Sequence, residues 1–200
     1  MEAIDATMLL LLLRPGTKVP ADAEGVEIEK PKERIEFLIQ RLQREKTKLI
    51  IPTPALSEAL VRAGNEGAAQ IVEHLNKFAV FRIEPFDTRA AIELAAMSRE
   101  ALGRAGKRGG TTAVWAKVKF DRQIVAIAKV VGASVIYTDD GDVVTFAKQA
   151  GIKAIGLTDL PLPVEDRQFR LNLEGHGDAD VPAPKEPEEE TLGPEDQPSA

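Results

Sequence analysis

The chain has 200 residues, enough for one well-packed domain, and its 44% hydrophobic and 29% charged residues are typical of a globular protein. It contains no cysteine and two histidines, which excludes disulfides, thiolate zinc sites, cysteine nucleophiles and any site built on several imidazoles. A metal site would therefore need a cation that prefers oxygen ligands, such as Mg²⁺ or Mn²⁺.

The formal net charge of −6 is concentrated near the C-terminus. Residues 176–200 contain eight acidic residues and one basic residue, so the rest of the chain is close to neutral. From residue 175 onward, Pro, Glu, Asp and Gly dominate, and such a segment cannot bury enough surface to offset the entropy of ordering. We predict a folded domain at 1–165 and a disordered acidic tail at 175–200, and leave 166–174 unassigned.

The apolar run at residues 8–13 is unlike a targeting signal. It follows acidic rather than basic residues and lacks a small-residue cleavage site. It is also far shorter than the ~20 apolar residues of a membrane-spanning helix. We expect a buried first helix, no membrane association and a cytoplasmic location.

Short apolar runs alternate with helical periodicity along the rest of the domain. In chain order, the sequence predicts a strand at 2–5, a helix at 8–13, a loop at 14–30, a helix at 31–47, a strand at 48–52, helices at 54–64 and 66–78, a strand at 79–86, a helix at 87–104, a basic glycine-rich loop at 105–112, a helix at 118–132, a strand at 133–138, a helix at 142–151 and a strand at 152–157. Because the strands are almost wholly apolar and are separated by helices, we predict an α/β fold with a parallel sheet covered on both faces.

Acidic side chains are predicted to gather at one edge of this sheet. Ligands of open parallel sheets bind beyond the C-terminal ends of the strands. The acids that follow strands, or lie early in helices at that edge, are Asp5, Glu58, Asp121, Asp139, Asp140 and Asp142. Taken singly, each has a simpler explanation, such as a helix N-cap or a solvated first turn. Glu58, however, lies between Leu56 and Leu60, and Asp121 precedes the apolar segment "IVAIA", so we expect both to be buried. A divalent cation would offset the repulsion between buried carboxylates.

Three segments carry a resemblance to a known family. "AIDATMLL", "PALSEAL" and "FDRQIVAIAKVVGASVIYTDDGD" resemble, in order and spacing, the four acidic motifs of PIN-domain nucleases of the VapC-like toxin kind, over residues 1–160. The resemblance implies a PIN-like three-layer α/β/α fold. It implies catalytic, metal-binding carboxylates at Asp5, Glu58, Asp121 and Asp140, and a further metal-binding acid at Asp142. The auxiliary residues that it implies are Thr7, Thr138 and Asp139.

The activity implied is that of a Mg²⁺- or Mn²⁺-dependent endoribonuclease, a hydrolase that cleaves phosphodiesters of single-stranded or structured RNA with a metal-activated water. The resemblance extends to the toxin of a type II toxin-antitoxin pair, with a cognate antitoxin and a homodimer as partners. The alternative is a non-catalytic PIN-like module that binds RNA or protein. A haloacid-dehalogenase-type phosphatase is disfavoured because it needs a second Asp where Thr7 stands, and the glycine motifs of Rossmann and P-loop proteins do not occur.

Basic residues precede Asp121 in the sequence and are candidates to guide an RNA strand. They are Arg104, Lys107, Arg108, Lys117 and Lys119. A solvated surface loop is the alternative explanation of this cluster. Trp115 could stack on a base, although a half-buried packing role is the simpler expectation.

Overall fold

A computed structural model describes residues 1–14, 16–21, 25–105 and 115–163 of the chain, without the side chains at 65–66, 100–105 and 115–117. The predicted acidic tail at 175–200 and the unassigned stretch at 166–174 lie outside these residues, as does most of the predicted basic loop at 105–112.

Strands and helices follow each other in nearly the predicted order. They are β1 (Glu2–Ile4), α1 (Ala6–Leu13), α2 (Pro31–Arg44), β2 (Leu49–Pro52), α3 (Thr53–Lys77), β3 (Phe81–Glu84), α4 (Thr88–Ala105), α5 (Trp115–Val130), β4 (Val135–Tyr137), α6 (Gly141–Gln149) and β5 (Lys153–Ile155). The strands are shorter than predicted, and several residues at the ends of the predicted runs, such as Lys48, Ala79 and Ser134, are exposed.

The five strands form one parallel sheet in the order β3-β2-β1-β4-β5. The chain runs outward from β1 through β2 to β3, then returns through α4 and α5 to β4 on the other side of β1. The direction of winding therefore reverses between β1 and β4. In parallel α/β sheets this reversal opens a crevice at the C-terminal ends of the two strands, where ligands bind.

Helices cover both faces of the sheet. Successive strand residues face opposite sides, so Ile4 and Ile51 pack with α1 and α2, whereas Ala3 and Ile50 pack with α5 and α6. Both sets are fully buried. The predicted α/β class, the parallel sheet and the three-layer arrangement are confirmed.

The first helix is buried, as the sequence predicts. Asp5 caps its N-terminus by accepting a hydrogen bond from the Met8 N–H, and Met8, Leu9, Leu10 and Leu11 are buried. Within the described part of the chain, no helix combines the length and the apolar character needed to cross a bilayer.

A polar network on the α2 side joins the two central strands. Arg41 of α2 donates to the Glu2 carboxylate at 2.9 Å and to the Tyr137 hydroxyl at 2.7 Å, and that hydroxyl donates to Glu2. Glu2 begins β1, and Tyr137 ends β4 opposite Ile4. These contacts fix the register of β4 against β1, which positions the residues that follow each strand.

The two helices predicted at 54–64 and 66–78 form one element, α3, that is broken at Gly64. Gly64 has φ +73° and ψ 176°, a combination essentially restricted to glycine. The break separates the first three turns of α3, which begin at the sheet edge, from the remainder of the helix.

We predict that Gly64→Ala lowers the free energy of unfolding by about 1–3 kcal/mol, because the new side chain strains a backbone conformation that only glycine adopts freely. Urea denaturation monitored by circular dichroism measures the change. Gly141→Ala is the matched control, because a methyl group there meets open space and φ is not positive. Equal stability of the two variants would contradict the strain.

Candidate active site

The site is assembled where the winding of the sheet reverses. Asp5 directly follows β1, and Thr138 to Asp140 directly follow β4. The first turns of α3 and the middle of α5 approach the same edge. Together they enclose a cavity of about 520 Å³, lined by Asp5, Ala6, Thr7, Ser57, Glu58, Val61, Arg62, Phe120, Asp121, Ile124, Asp140 and Val143.

Asp5 is held at the floor of this cavity by two hydrogen bonds. One carboxylate oxygen accepts from the Met8 N–H at 2.8 Å, and the other accepts from the Thr138 hydroxyl. The residue is 2% exposed. It is therefore both the N-cap of α1 and a buried acid at the C-terminal edge of the sheet.

Thr138 connects the two central strands. Its hydroxyl donates to Asp5 and accepts from the Asp140 N–H at 3.0 Å. Asp140 in turn caps α6, because one of its oxygens accepts from the Asp142 and Val143 N–H groups at 2.9 and 3.3 Å. One threonine thus aligns the acids that follow β1 and β4.

Three acids of the described residues form a close cluster. Oxygen atoms of Asp121, Asp140 and Asp142 lie within 4.8 Å of one another. Asp121 on α5 is 7% exposed, and the other two are half-buried. A set of carboxylate oxygens at this spacing has the chemistry of a Mg²⁺ or Mn²⁺ site, since these hard cations prefer oxygen ligands and offset the mutual repulsion of the acids.

Glu58 lines the same cavity but differs from the other acids. The expectation that it would be buried is wrong: half of its side chain is exposed, and it forms an ion pair of 3.0 Å with Arg62 one turn later on α3. Its helix turns Leu56 and Ala59 into the core, so residue 58 faces outward. Glu58 is also absent from the close cluster of three acids.

The two remaining auxiliary residues differ in position. Thr7 is half-buried in the cavity wall. Asp139 points away from it and accepts from the Leu157 N–H at 2.9 Å, beyond β5. Burial raises the pKa of Asp139, although this hydrogen bond opposes the change. The position of Asp139 indicates a structural role in holding the loop after β5.

Four of the five predicted RNA-guiding side chains lie outside the described part of the chain. Lys119 is exposed on α5. Lys107 and Arg108, and the side chains of Arg104 and Lys117, lie outside the described residues, and so does the side chain of Trp115.

Sequence reasoning missed several residues of the cavity wall, among them Val61, Arg62 and Phe120. Arg62 could have been predicted, because residues four apart on a helix lie side by side and Arg62 is four residues after Glu58.

Burial raises the pKa of Asp5 from its ordinary 3.8 to about 7, while the hydrogen bonds from Thr138 and Met8 lower it and the charge of Asp140 raises it further. Desolvation disfavours the charged carboxylate, and the two hydrogen bonds compensate only in part. In the metal-free protein, Asp5 therefore carries its proton up to neutral pH.

This proton predicts a pH-dependent stability. Between pH 4 and 7 the unfolded chain releases the Asp5 proton while the folded protein retains it, so the free energy of unfolding falls as pH rises. With a pKa of 3.8 in the unfolded chain and about 7 in the folded protein, the free energy of unfolding falls by at most roughly 4 kcal/mol. We expect the difference in stability between the original protein and Asp5→Asn, measured by denaturation in EDTA, to fall from pH 4.5 to pH 8.

Asp87→Asn is the matched control. Asp87 caps α4 by accepting from the Ala90 N–H at 2.9 Å, and this hydrogen bond lowers its pKa. Its contribution is therefore already complete near pH 4.5, and the corresponding difference should stay constant. A constant difference for Asp5→Asn as well would show that Asp5 ionises as an ordinary surface acid.

The chain is similar to two solved structures. One is a structure of FitAB bound to an IR36 DNA fragment, with a TM-score of 0.53 and 19% sequence identity over 80% of this chain and 98% of that chain. The other is DNA-bound VapBC from Salmonella typhimurium, with a TM-score of 0.49 and 17% identity over 78% of this chain and 99% of that chain. No protein-family model and no curated protein sequence matches the chain. At 19% identity the first likeness shows the fold, which is PIN-like.

Proposed function

We propose that this PIN-like chain is a divalent-metal-dependent endoribonuclease with catalytic carboxylates at Asp5, Glu58, Asp121 and Asp140. The observation that carries the proposal is the convergence of Asp121, Asp140 and Asp142 within 4.8 Å at the point where the sheet reverses. Asp5 is connected to the same group through Thr138. Ligand sites of parallel sheets are expected at that point.

The donor set fits Mg²⁺ or Mn²⁺. It consists of carboxylate oxygens, and its buried members, Asp5 and Asp121, lie where carboxylates need a compensating charge. The cation would supply a water of lowered pKa as nucleophile and would neutralise charge on the phosphate. Asp121, Asp140 and Asp142 would hold the ion, and Thr138 would keep Asp5 oriented towards it. Arg62 brings a positive charge to the wall of this acidic cavity, where a phosphodiester could accept its hydrogen bonds.

The choice of RNA rests on the resemblance of the sequence motifs to PIN-domain toxins. The exposed Lys119, two residues before Asp121, agrees with strand guidance. The proposal extends to a cognate antitoxin, a homodimer and a cytoplasmic location. Support for a partner protein comes from the similar structure of the FitAB complex bound to DNA.

We expect Asp121→Asn to reduce Mg²⁺-dependent cleavage of RNA by more than ~100-fold without unfolding the protein. Loss of a residue that only orients a metal ligand already costs ~10–100-fold, and the substitution removes a buried charge rather than a packing contact. Gel analysis of a labelled single-stranded RNA with purified protein measures the rate.

Asp87→Asn serves as the control for this experiment, because Asp87 caps α4 at the same sheet edge without lining the cavity, and asparagine is an equally good N-cap. Wild-type cleavage by folded Asp121→Asn protein would remove Asp121 from the catalytic group.

One observation favours the alternative, a non-catalytic module that binds RNA or protein: Glu58 is paired with Arg62 and stands apart from the close acidic cluster. Magnesium binding separates the two functions. If the site binds Mg²⁺, the free energy of unfolding should rise by about 2.7 kcal/mol at a Mg²⁺ concentration 100 times the dissociation constant.

Asp140→Asn should abolish this stabilisation while retaining the N-cap of α6, because asparagine caps helices as well as aspartate does. Calorimetric titration and thermal denaturation measure binding and stability. If the original protein shows no Mg²⁺ binding and no stabilisation, the non-catalytic function is the correct one.

A further inference from the structure

The cavity that holds the acids also presents two exposed apolar side chains. Phe120 of α5 is 52% exposed and Val61 of α3 is 80% exposed, and both line the cavity. Phe120 immediately precedes Asp121, the most buried member of the close acidic cluster. A large apolar surface is thus placed at the mouth of the site rather than in the core.

The helical geometry explains this placement. Asp121 and Ile124 lie one turn apart on α5 and are 7% and 4% exposed, so the face that carries both is turned inward. Successive residues on an α-helix are rotated by about 100°, so turning Asp121 inward leaves the Phe120 ring directed towards solvent at the rim. Of the described residues that line the cavity, Phe120 is the one with an aromatic side chain.

The other wall supplies the complementary chemistry. Val61 and Arg62 are neighbours on α3, and Arg62 is held beside Glu58 by their ion pair. The cavity volume of about 520 Å³ lies in the range of ~300–1,000 Å³ that is common for ligand sites. A flat apolar ring, an arginine and a carboxylate cluster around one cavity suit a ligand that is apolar at one end and anionic at the other.

A nucleotide of an unpaired strand has this character. Its base offers a flat face that stacks on an aromatic ring, and its phosphate accepts hydrogen bonds from arginine. The bases of a duplex are already stacked on each other, so a ring at the rim can reach only a base that is free to leave its neighbours.

We propose that Phe120 is a stacking platform for an unpaired nucleobase and that it makes the site select single-stranded RNA, with Arg62 contacting a phosphate of the same strand. This rests on the proposed function, which it deepens by naming the feature of the substrate that the site reads. Phe120 is in this role a positioning residue: it places the strand so that a phosphodiester lies over Asp121 and Asp140.

The test compares binding and cleavage by the full chain. Binding is measured by fluorescence anisotropy in Ca²⁺ with two labelled probes, a single-stranded RNA 12-mer of random sequence and a sugar-phosphate 12-mer without bases. The proteins are the original chain, Phe120→Ala, Phe120→Trp and Ile92→Ala. Ile92 is the matched control, because it is an apolar residue on α4 that is 65% exposed and does not line the cavity.

We expect Phe120→Ala to weaken binding of the RNA about 5- to 150-fold, the range that loss of one base–aromatic stack produces. Phe120→Trp should bind at least as tightly as the original chain, and Ile92→Ala should not differ from it. The baseless strand should bind all four proteins equally and more weakly than RNA. The last comparison needs only the original chain and therefore holds even if a variant does not fold.

Equal affinity of Phe120→Ala and the original chain for RNA would overturn the stacking role and leave the exposed side chains as a contact for a partner protein. Equal affinity of the original chain for RNA and for the baseless strand would overturn it too. Cleavage in Mg²⁺ is scored separately. If Phe120→Ala binds RNA more weakly but the original chain does not cleave, the stacking role is supported and the nuclease activity is refuted. If the original chain and Phe120→Ala cleave equally well, only the stacking role is refuted.

Discussion

A hydrogen bond from the Thr138 hydroxyl to the Asp5 carboxylate joins the ends of the two strands between which the sheet reverses its winding. The same hydroxyl accepts from the backbone N–H of Asp140, so it orients an acid from each side of the reversal. Residues 5 and 138 are far apart in the chain, and only the parallel pairing of β1 with β4 brings them together. The remaining acids of the cavity, Glu58 and Asp121, are positioned by α3 and α5.

The electrostatic cost of the arrangement is concentrated at Asp5. Desolvation favours its neutral form and holds its pKa near 7, in spite of two hydrogen bonds that favour the charged form. Asp140, by contrast, is half-buried and caps α6, where backbone N–H groups and the helix dipole favour negative charge. The negative charge of Asp5 is thus poorly compensated, whereas that of Asp140 is favoured by the N-terminus of a helix. A bound cation would compensate the remaining negative charge.

The sequence predicts the location of the site better than the orientation of its members. Asp5 and Asp140 directly follow apolar strands, and the topology of parallel sheets brings such positions to one edge, so their convergence was predictable. The exposure of Glu58 could also have been predicted, since Leu56, Ala59 and Ala63 recur at helical spacing and place residue 58 outside the apolar face.

Other features depend on contacts that no local pattern encodes. Asp139 follows the same strand as Asp140, yet its side chain turns to the Leu157 N–H, which only the docking of β5 makes available. Phe120 stands between Lys119 and Asp121, and its exposure follows from the rotation of α5 about its axis. A pattern of residue types fixes which face of a helix is buried, but residues at the border of that face are decided by packing.

The polar network of Arg41, Glu2 and Tyr137 has a consequence for how the chain tolerates insertions and deletions. Tyr137 and Thr138 are adjacent but have different partners. Tyr137 bonds Arg41 on the α2 side of the sheet, and Thr138 bonds Asp5 at the C-terminal edge. Because side chains alternate along a strand, a shift of β4 by one position would exchange their environments and break both contacts together. A one-residue change in length within this strand is therefore far more harmful than the same change in the 14–30 connection, where the described residues form no regular element beyond a single bridge.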